Sequence, residues 1–162
     1  MNTEKHIRLA ALDLDGTTLR SDKSLSEYTI ETLKNAHEHG MHIVVASGRS
    51  FASLPEQVIQ FPWAEYAITS NGAAVYHLPD RLCIHESAME PALVCPIIEE
   101  LQKKSIHMDA FINGDGFSQR SCEGKIDCLD MPTSIKRYIH RTRTFTDDLA
   151  AYIRVHNLNV QK

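Results

Sequence analysis

The stretch Leu9-Ala10-Ala11-Leu12-Asp13-Leu14-Asp15-Gly16-Thr17-Thr18-Leu19 decides the fold of this chain. Its short apolar segment predicts a buried strand, most naturally in a sheet that is covered on both faces. Asp13 and Asp15 then lie at or just beyond the C-terminal end of the strand, where open α/β sheets bind their ligands. Two neighbouring carboxylates repel each other, so we expect a cation or a proton between them. Mg²⁺ is the natural candidate, because it prefers oxygen ligands and is usually held by carboxylates plus substrate phosphate.

A simpler interpretation is a polar turn that closes a strand, since Asp and Gly are common turn residues. The complete string is more specific than D-x-D-G alone. It resembles the nucleophile motif hhhhDxDGT (h, apolar) of the haloacid dehalogenase superfamily of phosphatases. The resemblance implies that Asp13 attacks phosphorus, that Asp15 is the general acid and base, and that both contribute to a Mg²⁺ site. By the same resemblance, Gly16 and Thr17 shape the loop that receives the phosphate.

Two further strands are predicted to end in a polar residue followed by glycine. The β-branched run His42–Ala46 precedes Ser47-Gly48, and the segment Tyr66–Ser70 precedes Asn71-Gly72. Helices predicted between the strands, over about 26–39 and 51–60, imply right-handed crossovers and a parallel sheet. The three pairs Asp15-Gly16, Ser47-Gly48 and Asn71-Gly72, called the first, second and third corners, then lie at the same edge of that sheet, where they form one site.

The second and third corners add polar groups to that predicted site. Ser47 is on its own an ordinary helix cap, although N–H groups at a helix start also bind anions. Arg49 adds a fixed positive charge that suits a phosphate or a sugar oxygen. The string Val44–Arg49 resembles the A-[ST]-G-R motif of the Cof-type subgroup, and the string Thr69–Ala73 resembles its N-G-A turn. The resemblance implies that phosphate or substrate binds at these corners, through Ser47, Gly48, Arg49, Asn71 and Gly72.

The pattern changes after residue 80. We expect the N-terminal half of a core domain over residues 1–80 and part of an inserted α+β cap over residues 81–162. The predicted cap elements are a strand over 81–86 pairing with 74–76, a helix over 91–104, strands over 106–112 and 117–120, helices within 133–156, and the start of a strand over 158–162. Asn113-Gly114-Asp115-Gly116 is predicted as the turn of a hairpin. Asp109 and Asp115 belong to this hairpin more naturally than to a metal site.

Composition fits a cytoplasmic enzyme. The chain has 162 residues, 43% of them hydrophobic, and a formal net charge of −4, which gives no electrostatic reason to expect nucleic acid as a partner. No apolar run has the length of a membrane span, and residues 1–6 lack the apolar segment of a signal peptide. The four cysteines form no C-x-x-C pair, which favours reduced thiols over structural zinc.

The predicted fold is therefore α/β, a doubly wound, Rossmann-like parallel sheet with an inserted α+β cap, both incomplete. The resemblance implies a Mg²⁺-dependent phosphatase that hydrolyses small phosphomonoesters, such as sugar phosphates, through an aspartyl-phosphate. The superfamily's later lysine and G-D-x-x-N-D motifs are not found in the chain. Two alternatives therefore stay open: a phosphomutase, and a truncated remnant that binds phosphate or metal without turnover. A core without its later strands also predicts an apolar flank on the first strand and self-association.

Overall fold

The computed structural model describes residues 7–104 and 106–162, which form two compact units. The first unit contains the chain up to Arg49 together with Leu54–His85, and the second contains Ser50–Ser53 together with Glu86–Lys162. The predicted core domain over residues 1–80 and cap over residues 81–162 stay predictions. Residues 1–6, for which no signal peptide is predicted, lie outside the described residues.

The first unit is built on a five-stranded sheet. Its strands, in their spatial order, are β1 (Leu9–Asp13), β2 (His42–Ala46), β3 (Ala64–Thr69), β4 (Ala74–His77) and β5 (Leu82–Glu86). β1, β2 and β3 are parallel, so that Asp13 lies opposite Ala46, which in turn lies opposite Ile68. β4 runs antiparallel to β3 because the chain reverses within one short turn. The predicted α/β class is confirmed, although the sheet is mixed rather than wholly parallel.

β2 is an interior strand of this sheet, and its three successive residues Ile43, Val44 and Val45 are all buried. Such an unbroken buried run indicates a strand that is covered on both faces. β1, in contrast, is an edge strand among the described residues, and Leu9 is 53% exposed. The prediction of β1 as a buried strand is therefore wrong for this structure. Its exposed apolar residues match the predicted apolar flank, and self-association stays a prediction.

Two helices connect the parallel strands, α1 (Glu27–Glu38) and α2 (Glu56–Ile59). The Ser26 side chain accepts a hydrogen bond from the Thr29 N–H (2.9 Å) and so caps the N-terminus of α1. The second predicted helix is divided, because Pro55 separates a 3₁₀ turn over Phe51–Ser53 from the short helix α2.

The second unit contains a three-stranded sheet of β6 (Asp109–Ile112), β7 (Asp115–Gln119) and β8 (Arg143–Thr146). β6 and β7 form the predicted hairpin. Its turn is shorter than predicted, because Asn113 (φ 51°) and Gly114 (φ 84°) reverse the chain alone. Asp115 and Gly116, predicted to lie in the turn, therefore belong to β7.

Four helices complete the second unit: α3 (Pro91–Gln102), α4 (Glu123–Ile126), α5 (Thr133–Thr142) and α6 (Leu149–His156). The helices predicted within 133–156 are confirmed as α5 and α6, and the strand β8 between them, which pairs in parallel with β7, was not predicted. α6 begins directly after Asp148, whose carboxylate caps the helix by accepting a hydrogen bond from the Ala151 N–H (3.0 Å). The core of the unit lies between α3, α6 and the sheet, with Cys95, Ile112 and Ile153 among its buried residues.

The last residues of the chain join the second unit. Val160 forms an antiparallel bridge with Met89, and the Gln161 N–H donates to the Phe111 carbonyl oxygen (2.7 Å). The predicted strand start near the C-terminus thus forms backbone hydrogen bonds with two segments, at Met89 and at Phe111. None of the helices in residues 7–104 and 106–162 has the length and apolar character needed to span a membrane.

The substitution Gly116→Ala should destabilise the chain. A Cβ atom at this position would lie 2.6 Å from Cδ of Arg143. The Arg143 side chain is 6% exposed and its Nε is bound to Asp109 (2.7 Å), so it cannot move aside easily. We expect the free energy of unfolding to fall by about 1–3 kcal/mol, measured by urea unfolding of the full chain.

Gly124→Ala is the matched control for this experiment. Gly124 is part of α4, and a Cβ atom added there would meet no atom of another described element within 4 Å. Alanine there should leave the free energy of unfolding unchanged or raise it by up to about 1 kcal/mol. Equal stability of the two variants would contradict the packing described around Gly116.

Candidate active site

The loop that follows β1 is a tight turn anchored in the core of the first unit. Leu14 and Leu19 are 1% and 5% exposed, and the Leu19 N–H donates to the Leu14 carbonyl oxygen (2.8 Å). The Thr18 hydroxyl and N–H both donate to the carbonyl oxygen of Asp13, at 2.5 and 3.2 Å. Gly16 has φ +81°, a backbone conformation that favours glycine. The two leucines therefore anchor a loop in which Asp13, Asp15 and Thr17 are exposed.

Asp13 is the last residue of β1 and its side chain is exposed. Its Oδ2 accepts a hydrogen bond from the Thr17 hydroxyl (3.0 Å). This contact orients the carboxylate from within its own loop. An exposed, oriented carboxylate at the C-terminal end of a parallel strand is accessible to a ligand.

Asp15 is held by two cations. The Arg49 guanidinium donates from Nε to Oδ2 (2.7 Å) and from Nη2 to Oδ1 (2.8 Å), and the Lys23 ammonium donates to the same Oδ1 (2.9 Å). The Arg49 side chain is 17% exposed, so this bidentate pair is partly shielded from water. Hydrogen bonding to Arg49 holds the pKa of Asp15 well below its usual range, against the opposing effect of partial burial. In this arrangement Asp15 is ionised.

The second and third corners are tied together through their backbones. The Ser47 N–H donates to the Ile68 carbonyl oxygen (2.9 Å), and the Ser47 hydroxyl accepts from the Arg49 N–H (3.2 Å). The Ser70 N–H donates to the Arg49 carbonyl oxygen (2.8 Å), and the Asn71 N–H donates to that of Ser47 (3.3 Å). Arg49 therefore contacts all three corners, the first through its guanidinium and the other two through its backbone.

The third corner holds three consecutive residues in the left-handed region, Ser70 (φ 52°), Asn71 (φ 59°) and Gly72 (φ 98°). This conformation is unfavourable for serine and asparagine, and such strain persists only where surrounding contacts impose it. Here the hydrogen bonds to Ser47 and Arg49 impose it. Strained residues of this kind cluster at functional sites, and Asn71 and Gly72 are exposed at this one.

All the site residues predicted from the motifs thus lie in the first unit, at the loops that follow β1, β2 and β3. Asp13 contacts Thr17, and Asp15 contacts Arg49, while Gly48 lies in the bend between Ser47 and Arg49. Among the described residues no hydrogen bond joins the Asp13 side chain to Ser47 or Asn71. The roles assigned to these residues stay predictions.

Sequence reasoning missed one contributor to this site. Lys23 lies eight residues beyond Asp15 in a polar loop, and no motif in that loop marks it. The signal is present only in the structure, as the 2.9 Å contact between its Nζ and Asp15.

A magnesium ion would find two oxygen ligands here, the Asp13 carboxylate and the Asp15 main-chain carbonyl. The Asp15 carboxylate is committed to Arg49 and Lys23. Across the described part of the chain, no group of three or more His, Cys, Asp or Glu residues is arranged to hold a metal. Mg²⁺ keeps several waters and needs few protein ligands when substrate phosphate completes its shell, so the oxygen donors present fit it.

Comparison with known proteins now adds to this geometry. The family model of haloacid dehalogenase-like hydrolases matches residues 10–161. The chain belongs to this family. The match confirms the superfamily and the Cof-type subgroup that the three motifs predict.

Individual members of the haloacid dehalogenase-like hydrolases resemble the chain over part of their length. The 5-amino-6-(5-phospho-D-ribitylamino)uracil phosphatase YitU of Bacillus subtilis is 36% identical over 128 residues, covering 78% of this chain and 47% of that protein. An HMP-PP phosphatase of Escherichia fergusonii is 33% identical over 113 residues, covering 68% and 40%. A solved haloacid dehalogenase-like hydrolase of B. subtilis superposes with a TM-score of 0.76 at 17% identity, covering 95% and 59%. The chain thus spans about half the length of the curated relatives it matches.

The substitution Arg49→Met should raise the pKa of Asp15 toward about 4, the ordinary value for the group. It removes two of the three charge-assisted hydrogen bonds to the carboxylate. Carboxyl NMR titration in metal-free buffer should show the native Asp15 still ionised below about pH 3, where the variant is protonated. The lowered pKa also means that the pair stabilises the folded chain above the ordinary carboxyl pKa, and that this contribution is lost as the pH falls.

Arg81→Met serves as the control, because Arg81 pairs with Glu56 at 3.7 Å and does not contact the site. It should leave the Asp15 titration unchanged. An unchanged titration in Arg49→Met as well would show that Arg49 does not hold Asp15 in solution.

Proposed function

We propose that the protein is a Mg²⁺-dependent phosphatase that hydrolyses small phosphomonoesters through an aspartyl-phosphate on Asp13. One observation carries the proposal: the exposed Asp13 carboxylate lies at the end of a parallel strand, two residues before Asp15, whose carboxylate is held by two cations. The family supports hydrolase chemistry, and both curated relatives described above are phosphatases.

In the first step, an oxygen of the Asp13 carboxylate forms a bond to phosphorus while the bond from phosphorus to the ester oxygen breaks. Asp15 gives its proton to the departing alkoxide, which leaves as an alcohol. Water then attacks phosphorus, Asp15 takes the proton from that water, and the bond between phosphorus and Asp13 breaks. Inorganic phosphate leaves and the Asp13 carboxylate is restored. Dividing the displacement into two steps lowers the barrier of each.

Asp15 must bind a proton before it can act as the acid, although it is ionised in the structure. The dianionic phosphate of a bound substrate changes the surroundings of Asp15 so that this carboxylate binds a proton more readily. It places negative charge beside Asp15, and it competes with that carboxylate for the Arg49 guanidinium. Both effects favour the protonated form. The ion pair therefore keeps Asp15 in position until substrate binds.

When bound, Mg²⁺ would neutralise negative charge on the phosphoryl oxygens as they approach the carboxylate. The Asp13 carboxylate and the Asp15 main-chain carbonyl are the residues of this chain that would hold it. Ser47 and the backbone N–H groups near Gly48 and Gly72 are proposed to bind the phosphoryl oxygens.

The substrate is proposed to be a small phosphorylated metabolite, with sugar phosphates as one class. The name of the YitU relative describes a substrate in which phosphate is carried on a ribityl chain. The four free cysteines suit a reducing compartment such as the cytoplasm, where we place the protein.

Asp13→Asn should abolish turnover while preserving the fold. The amide keeps the shape of the carboxylate and can still accept the Thr17 hydrogen bond, but it is a poor nucleophile. In a preparation that releases phosphate from p-nitrophenyl phosphate with Mg²⁺, we expect a loss of at least about 10³-fold in kcat.

Asp130→Asn is the matched control, since Asp130 lies in the second unit, outside the three corners. It should retain the native rate, and both variants should keep the native circular dichroism spectrum. A folded Asp13→Asn protein that releases phosphate at a near-native rate would exclude Asp13 as the nucleophile.

A further inference from the structure

Lys23 occupies a loop whose backbone is unfavourable for lysine. Its φ is 68°, in the left-handed region that residues with a side chain rarely adopt. An exposed ion pair contributes little to stability, and the Lys23 side chain is 59% exposed. The pair with Asp15 therefore does not by itself account for a strained residue at this position.

Hydrogen bonds from several directions hold the loop in this conformation. The Lys23 N–H donates to the Arg20 carbonyl oxygen (2.9 Å), and the Arg20 N–H donates to that of Ser24 (2.9 Å). The Asp22 carboxylate accepts from the N–H and hydroxyl of Ser24, at 2.9 and 2.5 Å. The Gln57 side chain, from α2, donates to the Lys23 carbonyl oxygen (2.6 Å). The loop is thus built to present the Lys23 side chain toward Asp15.

The charges around Asp15 show what a second cation does there. Asp13 and Asp15 carry two negative charges, and Arg49 supplies only one positive charge to the pair. With Lys23, whose Nζ contacts the same Oδ1 as Nη2 of Arg49, the four formal charges balance. Counted over these side chains alone, a corner without Lys23 would keep one net negative charge, which opposes the approach of a phosphate dianion.

We propose that Lys23 is a phosphate-binding residue of this site, supplying the second cation with which the Asp13–Asp15 corner accepts a phosphoryl dianion. The inference rests on the proposed function and adds to it a residue that lies outside the three motifs. The long, exposed side chain can turn from Oδ1 of Asp15 toward a phosphoryl oxygen bound beside it. Arg49 is shielded and bidentate, so we expect Lys23 to leave the Asp15 carboxylate before Arg49 does when phosphate binds.

The test measures binding of inorganic phosphate to the full chain by isothermal titration calorimetry, with Mg²⁺ present. Lys23→Gln should weaken binding by about five- to tenfold, and Lys23→Arg, which keeps the charge, should restore most of it. The difference between native and Lys23→Gln should shrink as ionic strength rises, a dependence that a purely structural role would not produce.

Lys34→Gln is the matched control. Lys34 lies in α1, where its Nζ is 3.8 Å from Glu38, and its removal should leave phosphate binding unchanged. Thermal unfolding of every variant checks that the fold is intact. If the native chain binds phosphate and Lys23→Gln binds it equally well, the inference is wrong and the proposed function stands. If the native chain binds no phosphate at all, the inference and the proposed phosphate site are both overturned.

Discussion

The candidate site depends on Arg49, because this one residue contacts all three loops that form it. Its guanidinium donates two hydrogen bonds, of 2.7 and 2.8 Å, to the Asp15 carboxylate. The backbone of Arg49 also contacts Ser47 and Ser70, so the same residue fixes the second and third corners. The loops after β1, β2 and β3 are therefore joined through one side chain and its main chain.

This arrangement separates the properties of the two carboxylates. Asp13 is exposed and oriented only by Thr17, whereas Asp15 is bound to two cations that lower its pKa. A pair of titratable groups in different surroundings is the usual way in which one site holds both a nucleophile and an acid or base. The cations around Asp15 then have a second use, because a phosphate dianion needs the same positive charge. The same two side chains, Arg49 and Lys23, therefore form the ion pairs with Asp15 and the proposed contacts with substrate.

Local signals in the sequence predict a large part of this structure. The β-branched run of β2 and the hairpin of β6 and β7 each depend on a few neighbouring residues, and the structure confirms both. Elements that depend on distant residues are predicted less well. β8 lies between two helices and is a strand because it pairs with β7. Its four residues are too few to show a periodicity that would indicate a strand.

The site shows the same division between local and distant causes. The three motifs mark Asp13, Ser47 and Asn71 because each lies at the end of a strand or shortly after it. Lys23 reaches Asp15 only because a strained loop folds back, so its sequence position carries no sign of its contact. The exposure of β1 does not follow from its own residues, for a related reason. Its apolar residues predict burial, but burial requires a neighbouring strand, and none pairs with its outer edge in the described residues.

The central claim is that Asp13 becomes covalently phosphorylated, and chemical trapping tests it most directly. Borohydride reduces an acyl phosphate to an alcohol, so a phosphorylated aspartate is converted to homoserine. Protein quenched with borohydride during turnover of a phosphomonoester, then digested and examined by mass spectrometry, should carry homoserine at position 13 and unmodified aspartate at position 15. Homoserine at position 15 instead, or unmodified Asp13 in a preparation that is measurably releasing phosphate, would contradict the account.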